Sequence, residues 1–138
     1  DEAITEGGNV VGMCASKHTD INMITLLLAK EPGLQLWYEG RWIPITIEDP
    51  NLIIINVGDM LQRLTNNVLR STTHRVINPP REKWHTHRYS IPFFLHPRSE
   101  MPLDCLKDCI TENNPIAFEP ITAGEYLDER LREIGLKK

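Results

Sequence analysis

His18 and Asp20 stand two residues apart, directly before the apolar end of the segment KHTDINMITLLL. On a β-strand, residues two apart project from the same face, which would place the imidazole and the carboxylate side by side with Thr19 turned away. One nitrogen and one oxygen donor of this kind suit a divalent transition metal but leave it under-coordinated. The pattern therefore predicts a third ligand from another strand. The alternative is a surface His–Asp pair that binds no metal.

Four other histidines are candidates for the third ligand, namely His74, His85, His87 and His96. If HTHRYSIPFF forms one strand, its side chains alternate, so His85 and His87 face away from a pocket lined by Arg88 and Ser90. His74 lies on an earlier strand among small polar residues, in STTHRV, and this favours it as the third ligand. The alternative for His74 is a core histidine satisfied by hydrogen bonds.

Arg88 and Ser90 are two residues apart and would share one face of the same strand. A guanidinium grips a carboxylate through two parallel hydrogen bonds, and the Ser90 hydroxyl offers another bond to the same anion. Phe94 lies six residues after Arg88 on that face. The pair predicts a site for an anion, while the alternative for Arg88 is a structural ion pair with an Asp or Glu.

Short strands joined by tight turns are predicted around these residues. The strands are expected over residues 21–28, 34–38, 52–57, 68–76 and 85–95, with one helical turn over 60–65. Glu39 and Gly40 are predicted to form the turn of a hairpin. Asn66 and Asn67 tolerate positive φ and are predicted to close another turn.

The end of the chain has the pattern of an amphipathic helix, in ITAGEYLDERLREIGLKK. Thr122 with Glu125 three positions later matches a capping box, and Gly135 is placed to end the helix. Many short strands followed by one terminal helix favour a β-sandwich or jelly roll.

The order His18-x-Asp20, His74, Arg88-x-Ser90 resembles the pattern of the iron(II)/2-oxoglutarate-dependent dioxygenases, and most closely their isopenicillin N synthase-like group. The segments PGLQLWYEGRWIPI, NVGDMLQRLTNN, STTHRV and RYSIPFF look like that group's segments, in its order. The resemblance extends over residues 12–97. It implies a mainly β fold, with a double-stranded β-helix (jelly roll) core over residues 1–98. A C-terminal extension with its helix, over 99–138, would pack on the same domain.

The resemblance also implies a chemistry for these residues. His18, Asp20 and His74 would hold Fe(II) and leave three of its positions open, for 2-oxoglutarate as cosubstrate and for dioxygen. Arg88 and Ser90 would bind the far carboxylate of 2-oxoglutarate. Phe94 would contact the substrate, or equally belong to the core. The implied function is a non-haem Fe(II) oxygenase that couples oxidative decarboxylation of 2-oxoglutarate to hydroxylation, desaturation or ring closure of a small organic substrate.

Two alternatives stand beside this function. The first is a jelly-roll binding or structural module that keeps the metal motif without turnover. The second is a relative that oxidises its substrate without 2-oxoglutarate, where Arg88 and Ser90 bind the carboxylate of the substrate itself.

The family's members usually carry a long N-terminal half, so the resemblance also implies that the first strands of the barrel are missing here. Uncovered strand edges would then favour association with another copy or with the rest of a longer protein.

Composition narrows the setting of this chemistry. The chain has 138 residues, 41% of them hydrophobic and 25% charged, with a net charge of −4. These values are typical of a globular domain and give no sign of nucleic-acid binding. The apolar runs are too short to cross a membrane. An odd count of three cysteines argues against a disulfide framework, so we expect a cytoplasmic protein.

Overall fold

The strands and helices are taken from a computed structural model that describes residues 4–6, 9–11, 13–29, 31–49 and 51–137. The strands are β1 Ile4–Glu6, β2 Asn9–Val11, β3 Met13–His18, β4 Ile24–Ala29, β5 Leu34–Tyr38, β6 Arg41–Pro44, β7 Ile54–Val57, β8 His74–Ile77 and β9 Ser90–Leu95. The helices are α1 Asp59–Leu64 and α2 Ala123–Glu133, with short 3-10 turns at Arg81–Lys83 and Lys107–Cys109. The predicted mainly β fold with a C-terminal helix is confirmed.

The described strands form three sheets. β1 pairs with β2, a second sheet has the order β3-β8-β5-β6, and a third has the order β7-β4-β9. Every neighbouring pair in the four-stranded sheet is antiparallel. β8 therefore lies between β3 and β5, although it follows both of them in the sequence.

The chain divides into two compact units, and the first comprises the described residues of 1–19, 27–54 and 72–92. It contains the four-stranded sheet. The hairpin of β5 and β6 turns at Glu39 and Gly40, whose φ angles are 47° and 80°. Positive φ at both turn residues is the geometry that matches the twist of the two strands. Trp37 and Trp42 face each other across the hairpin, with ring centroids 5.1 Å apart. The predicted hairpin is confirmed.

The second unit comprises the described residues of 20–26, 55–71 and 93–138. Its apolar core is built on Met60, Leu103 and Ala123, all of them buried. Six partly buried side chains pack against this core: Ile21, Met23, Met101, Ile121, Tyr126 and Leu127. The core therefore joins α1, α2 and the residues that follow the histidine at position 18.

The C-terminal helix begins and ends as its sequence predicts. The Thr122 hydroxyl accepts a hydrogen bond from the Glu125 N–H at 3.3 Å, and the Glu125 carboxylate accepts one from the Thr122 N–H at 2.9 Å. These two bonds form the capping box, and the hydrogen bonds from Thr122 lower the pKa of the Glu125 carboxyl. Gly135 ends the helix with a φ of 77°. Among the described helices, none is both long and apolar enough to cross a bilayer.

Four strands begin later than predicted. β4 begins at Ile24 rather than at residue 21, β7 at Ile54 rather than 52, β8 at His74 rather than 68, and β9 at Ser90 rather than 85. The division of the chain into residues 1–98 and 99–138 stays a prediction.

Side chains and turns take the backbone hydrogen bonds of two of these early stretches. The Thr65 hydroxyl accepts from the Leu69 N–H at 3.1 Å, and the Gln62 side chain accepts from the Ser71 N–H at 2.6 Å. Before β9, the Thr86 N–H donates to the Lys83 carbonyl at 2.9 Å, at the end of the 3-10 turn Arg81–Lys83. A residue whose N–H is bonded locally does not extend a sheet ladder, and a polar-rich stretch offers many such partners.

Candidate metal centre

Two histidines lie directly opposite each other in the four-stranded sheet. His18 is the last residue of β3 and pairs with His74, the first residue of β8. Their ring centroids are 4.4 Å apart. On its other side, His74 pairs with Leu36 of β5, so the backbone of this histidine is held from both neighbouring strands. The sheet register thus places two imidazoles from distant parts of the chain side by side.

Both imidazoles are oriented by the same kind of hydrogen bond. Nδ1 of His18 donates to the Ser16 carbonyl at 2.7 Å, and Nδ1 of His74 donates to the Thr72 carbonyl at 3.0 Å. A carbonyl oxygen only accepts, so Nδ1 carries the proton in each ring. Nε2 is then the nitrogen that each ring presents as a metal ligand, and the Nδ1 bond fixes the direction of the ring.

Asp20 provides a carboxylate next to the two rings. The residue is only 8% exposed. The Thr25 hydroxyl donates to Oδ2 of Asp20 at 2.5 Å, and the Asn56 amide donates to the same oxygen at 2.8 Å. The two donors thus hold the buried carboxylate in position.

One ligand atom from each of His18, Asp20 and His74 lies within 4.8 Å of the other two. Two histidines and one carboxylate are the donor set that non-haem Fe(II) oxygenases use, with positions left open for other ligands. The donor set therefore fits the iron that the sequence predicts. That these residues hold Fe(II) stays a prediction.

The prediction that His18 and Asp20 share one strand is wrong, although their ligand atoms do lie close together. β3 ends at His18, so Asp20 lies beyond the strand. The ligand loop, residues 20–23, is held instead by backbone bonds to the start of α1. Its carbonyls accept from the N–H groups of Gly58, Asp59 and Met60 at 2.7 to 3.2 Å. The position of Asp20 thus depends on the helix start as well as on Thr25 and Asn56.

Arg88 and Ser90 lie on one side of the chain at the start of β9. Nη1 of Arg88 donates to the Ser90 hydroxyl at 3.3 Å, and Nε donates to the Pro32 carbonyl at 3.2 Å. Next to Pro32, Gly33 has a φ of 122° and lies close to β8, since a Cβ there would lie 2.9 Å from the Ile77 carbonyl oxygen. The role of Arg88 and Ser90 in binding an anion stays a prediction.

The remaining candidate residues, three histidines and Phe94, are exposed. His85 and His87 precede β9 and are exposed, so the alternation argument does not apply to them. His96 follows β9 and is exposed too. None of the three belongs to the cluster of His18, Asp20 and His74. Phe94 is 50% exposed, and its contact with substrate stays a prediction.

Sequence reasoning did not assign Thr25 or Asn56 to the site. A signal was present, because each is a polar residue within an apolar strand, in ITLLLA and IINV. A buried polar side chain requires hydrogen-bond partners, and here the partner is the Asp20 carboxylate.

Comparison with known proteins agrees with the geometry. The family model of the 2OG-Fe(II) oxygenase superfamily matches residues 9–97. Jasmonate-induced oxygenase 4 of Arabidopsis thaliana is 39% identical over 114 residues, which cover 80% of this chain and 31% of that relative. The chain spans about a third of the length of the curated relatives it matches.

Solved structures give the same result for the fold. A 2OG-Fe(II) oxygenase family protein from Caulobacter crescentus has a TM-score of 0.82 and 53% identity, covering 87% of this chain and 40% of that one. A full-length Neurospora crassa protein, solved in complex with alpha-KG, has a TM-score of 0.79 and 33% identity, covering 88% of this chain and 38% of that one. The predicted jelly roll is confirmed, and the chain belongs to the 2OG-Fe(II) oxygenase superfamily.

Proposed function

We propose that this chain binds Fe(II) through His18, Asp20 and His74. The iron would serve an oxygenase reaction that couples decarboxylation of 2-oxoglutarate to oxidation of a small organic substrate by dioxygen. The observation that carries the proposal is the cluster of these three side chains, with both imidazoles presenting Nε2. Bound there, Fe(II) supplies the redox chemistry that activates dioxygen.

The charge of the site favours an anionic cosubstrate. Two neutral imidazoles and one carboxylate leave a divalent ion with one net positive charge. A dicarboxylate such as 2-oxoglutarate is attracted to that charge at one end. At its other end, a second cation is needed for the far carboxylate, and Arg88 is the candidate.

Arg88 is prepared for this role by its own hydrogen bonds. Its Nε–H and one Nη1–H are used by the Pro32 carbonyl and the Ser90 hydroxyl, which fix the plane of the guanidinium. A guanidinium has five N–H donors, so others are available for a carboxylate. The same arrangement would hold a carboxylate that belongs to the substrate, which is the competing role for this pair.

We propose that the protein is cytoplasmic, since its odd count of three cysteines argues against a disulfide framework.

We also propose an association that covers β9. The support for the association is the exposure of its apolar side chains, since Ile91, Phe93, Phe94 and Leu95 are all between 48% and 66% exposed. Exposed apolar strands favour contact with more polypeptide. Another copy of the chain or the rest of a longer protein would provide it. Sedimentation of the purified chain at low concentration would reveal the first as a dimer.

The metal proposal is tested by anaerobic equilibrium dialysis of the chain against Fe(II). We expect one Fe(II) per chain at micromolar metal, and Asp20→Ala should abolish this binding because the carboxylate supplies the only negative charge among the three ligands. His87→Ala is the matched control, since His87 is exposed and outside the cluster, and it should bind like the native chain. Native binding by Asp20→Ala would refute the site.

The reaction is tested by measuring succinate formed from 2-oxoglutarate in the presence of Fe(II) and dioxygen. Succinate from the native chain and none from Asp20→Ala would support the oxygenase. Iron binding without any succinate would favour a relative that does not use 2-oxoglutarate, or a module that binds metal without turnover.

A further inference from the structure

A row of four paired residues crosses the four-stranded sheet at the level of the two histidines. His18 pairs with His74, His74 pairs with Leu36, and Leu36 pairs with Ile43. Residues directly opposite each other on antiparallel strands project from the same face of the sheet. The two imidazoles therefore share one face, here called the ligand face, with two apolar side chains of β5 and β6.

The next row of the ligand face, toward the hairpin turn, consists of Tyr38 and Arg41. These two residues pair with each other, and each lies two positions along its strand from Leu36 or Ile43. Side chains two positions apart project from the same face, so both belong to the ligand face. A strand rises about 3.4 Å per residue, which places this row about 7 Å from the row of the histidines. A small organic molecule can span that distance.

The opposite face of the sheet agrees with this assignment. Trp37 and Trp42 alternate with Tyr38 and Arg41 along the two strands, and their ring centroids are 5.1 Å apart. The Arg75 guanidinium, one residue after His74, lies 3.9 Å from the centroid of the Trp42 ring. The tryptophans therefore pack with Arg75 on the face that bears no metal ligand.

The polar ends of Tyr38 and Arg41 are available to another molecule. Tyr38 is 58% exposed, and Arg41 is exposed as well. Within the part of the chain that the structure describes, neither side chain takes part in a hydrogen bond or an ion pair. Arg75 and Arg88 differ in this respect, because they donate to the Gln35 side chain and the Pro32 carbonyl. Arg41 therefore offers a permanent positive charge and all five N–H donors to an anion.

Arg88 lies toward the other end of β5. Its Nε donates to the carbonyl of Pro32, two residues before Leu34, where β5 begins. The strand then continues past Leu36, in the row of the histidines, to Tyr38. A molecule of 2-oxoglutarate that extends from the metal to Arg88 would therefore occupy the Leu34 side of that row. The Tyr38 side is left for the substrate.

We propose that Tyr38 and Arg41 bind the substrate, and that the substrate is a small organic acid with an apolar skeleton. The skeleton lies over Leu36 and Ile43 beside the Tyr38 ring, and the acidic group is bound by Arg41. This assignment rests on the proposed function, since it requires the metal site and 2-oxoglutarate at Arg88. It gives the two arginines separate anions, the cosubstrate for Arg88 and the substrate for Arg41.

The test uses 3-phenylpropanoate as an acidic probe and 3-phenylpropanamide as its uncharged analogue. The chain is loaded with Mn(II), freed of excess metal and saturated with 2-oxoglutarate in the absence of dioxygen. Paramagnetic broadening of the probe's NMR signals, relative to the Zn(II)-loaded chain, detects probe bound near the metal, and a titration gives its affinity. We expect the native chain to bind the acid about 10-fold more tightly than the amide, because a hydrogen bond to a charged group is stronger than a neutral one.

Substitutions assign this preference to residues. Arg41→Gln should lower the affinity for the acid about 10-fold, to that for the amide, and leave the amide unchanged. Tyr38→Ala should weaken both probes about 3-fold or more through loss of the aromatic contact, and Tyr38→Phe should bind both like the native chain. Arg132→Gln is the matched control, since Arg132 is exposed too but lies on α2 and pairs with Asp128 at 4.0 Å. It should bind both probes like the native chain.

The outcomes separate this proposal from the metal site. If the native chain takes up Mn(II) but binds acid and amide equally, or if Arg41→Gln keeps the preference for the acid, the role of Arg41 is refuted and the metal site stands. If Arg88→Gln removes the preference and Arg41→Gln does not, Arg88 binds the acidic group of the substrate and the proposal is again refuted. If the native chain takes up no Mn(II), the metal site and the substrate assignment fall together.

Discussion

Gly58→Ala adds one methyl group at the N-cap position of α1, directly against the ligand loop. A Cβ at Gly58 would lie 2.0 Å from the Asn22 carbonyl oxygen and 2.7 Å from its carbonyl carbon. The backbone angles of Gly58 are φ −99° and ψ 173°, which any residue adopts, so the effect comes from contact alone. Both nearby atoms are backbone, and neither can move aside by a change of rotamer.

The size of the effect follows from the displacement required. Moving the Asn22 oxygen from 2.0 Å to an ordinary contact of 3.4 Å is a shift of 1.4 Å. The bonds from the N–H groups of Gly58, Asp59 and Met60 to the ligand loop are 2.7 to 3.2 Å long, and a shift of that size breaks or weakens them. Overpacking and a lost buried hydrogen bond each cost about 1–3 kcal/mol. We therefore expect Gly58→Ala to lower the free energy of unfolding by about 3 kcal/mol and to weaken metal binding by about 10-fold or more.

Urea denaturation measures the stability, and equilibrium dialysis against Co(II) measures the affinity. Gly40→Ala is the matched control, because Gly40 has a φ of 80° but nothing within 4 Å of its Cβ position. It should cost about 1 kcal/mol through backbone strain and leave the Co(II) affinity unchanged. A Gly58→Ala chain with native stability and native affinity would show that the ligand loop is not tied to the start of α1.

Further predictions concern the anion site and the C-terminal helix. Arg88→Lys keeps the charge but loses the two parallel hydrogen bonds that a planar guanidinium makes with a carboxylate. It should therefore raise the 2-oxoglutarate concentration needed for half-maximal succinate release and leave metal affinity unchanged. An unaltered dependence on 2-oxoglutarate would indicate that Arg88 binds the substrate's carboxylate instead. Thr122→Ala removes the N-cap and should lower the free energy of unfolding by about 1 kcal/mol in urea titration at neutral pH, whereas no change would count against the cap. Because the pKa of Glu125 lies below its ordinary value of 4.5 in the folded chain, its contribution is present above that value and is lost as the pH falls through the lowered pKa. The stability difference between the native chain and Thr122→Ala should therefore shrink in acid, and a constant difference would contradict the capping bond.

Features decided by a few neighbouring residues were predictable from the sequence. The turn at Glu39 and Gly40 and the capping box of α2 each depend on contacts within four residues. Asn66 and Asn67 have the positive φ that their residue type favours, although the Asn66 side chain is also bonded to distant residues. The identity of the donors at positions 18, 20 and 74 was predictable for another reason. Few residue types bind a transition metal, and their order in this chain resembles one family.

Features that depend on distant partners were not predictable in the same way. The alternation of residues along one strand carries no information on the bonds from the start of α1 to the carbonyls of residues 20–23. The apolar run therefore predicts a strand from residue 21, whereas β4 begins at Ile24. The opposition of His18 and His74 is a matter of register between strands far apart in the sequence. The role of Asn56 follows from its contact with Asp20, 36 residues earlier.

The pairing of His18 with His74 has a consequence for how the sheet holds together. Among the described strands, β3 is at the edge of the four-stranded sheet, and its register with β8 shifts twice between residue 13 and His18. An ion bound by both imidazoles would act as a cross-link between this irregular edge and the central strand. Such a cross-link closes a long loop, so the binding energy of the metal would also oppose fraying of β3. Amide hydrogen exchange along β3 would then be slower when the metal is bound. Loss of the metal would appear first as faster exchange at this edge of the sheet.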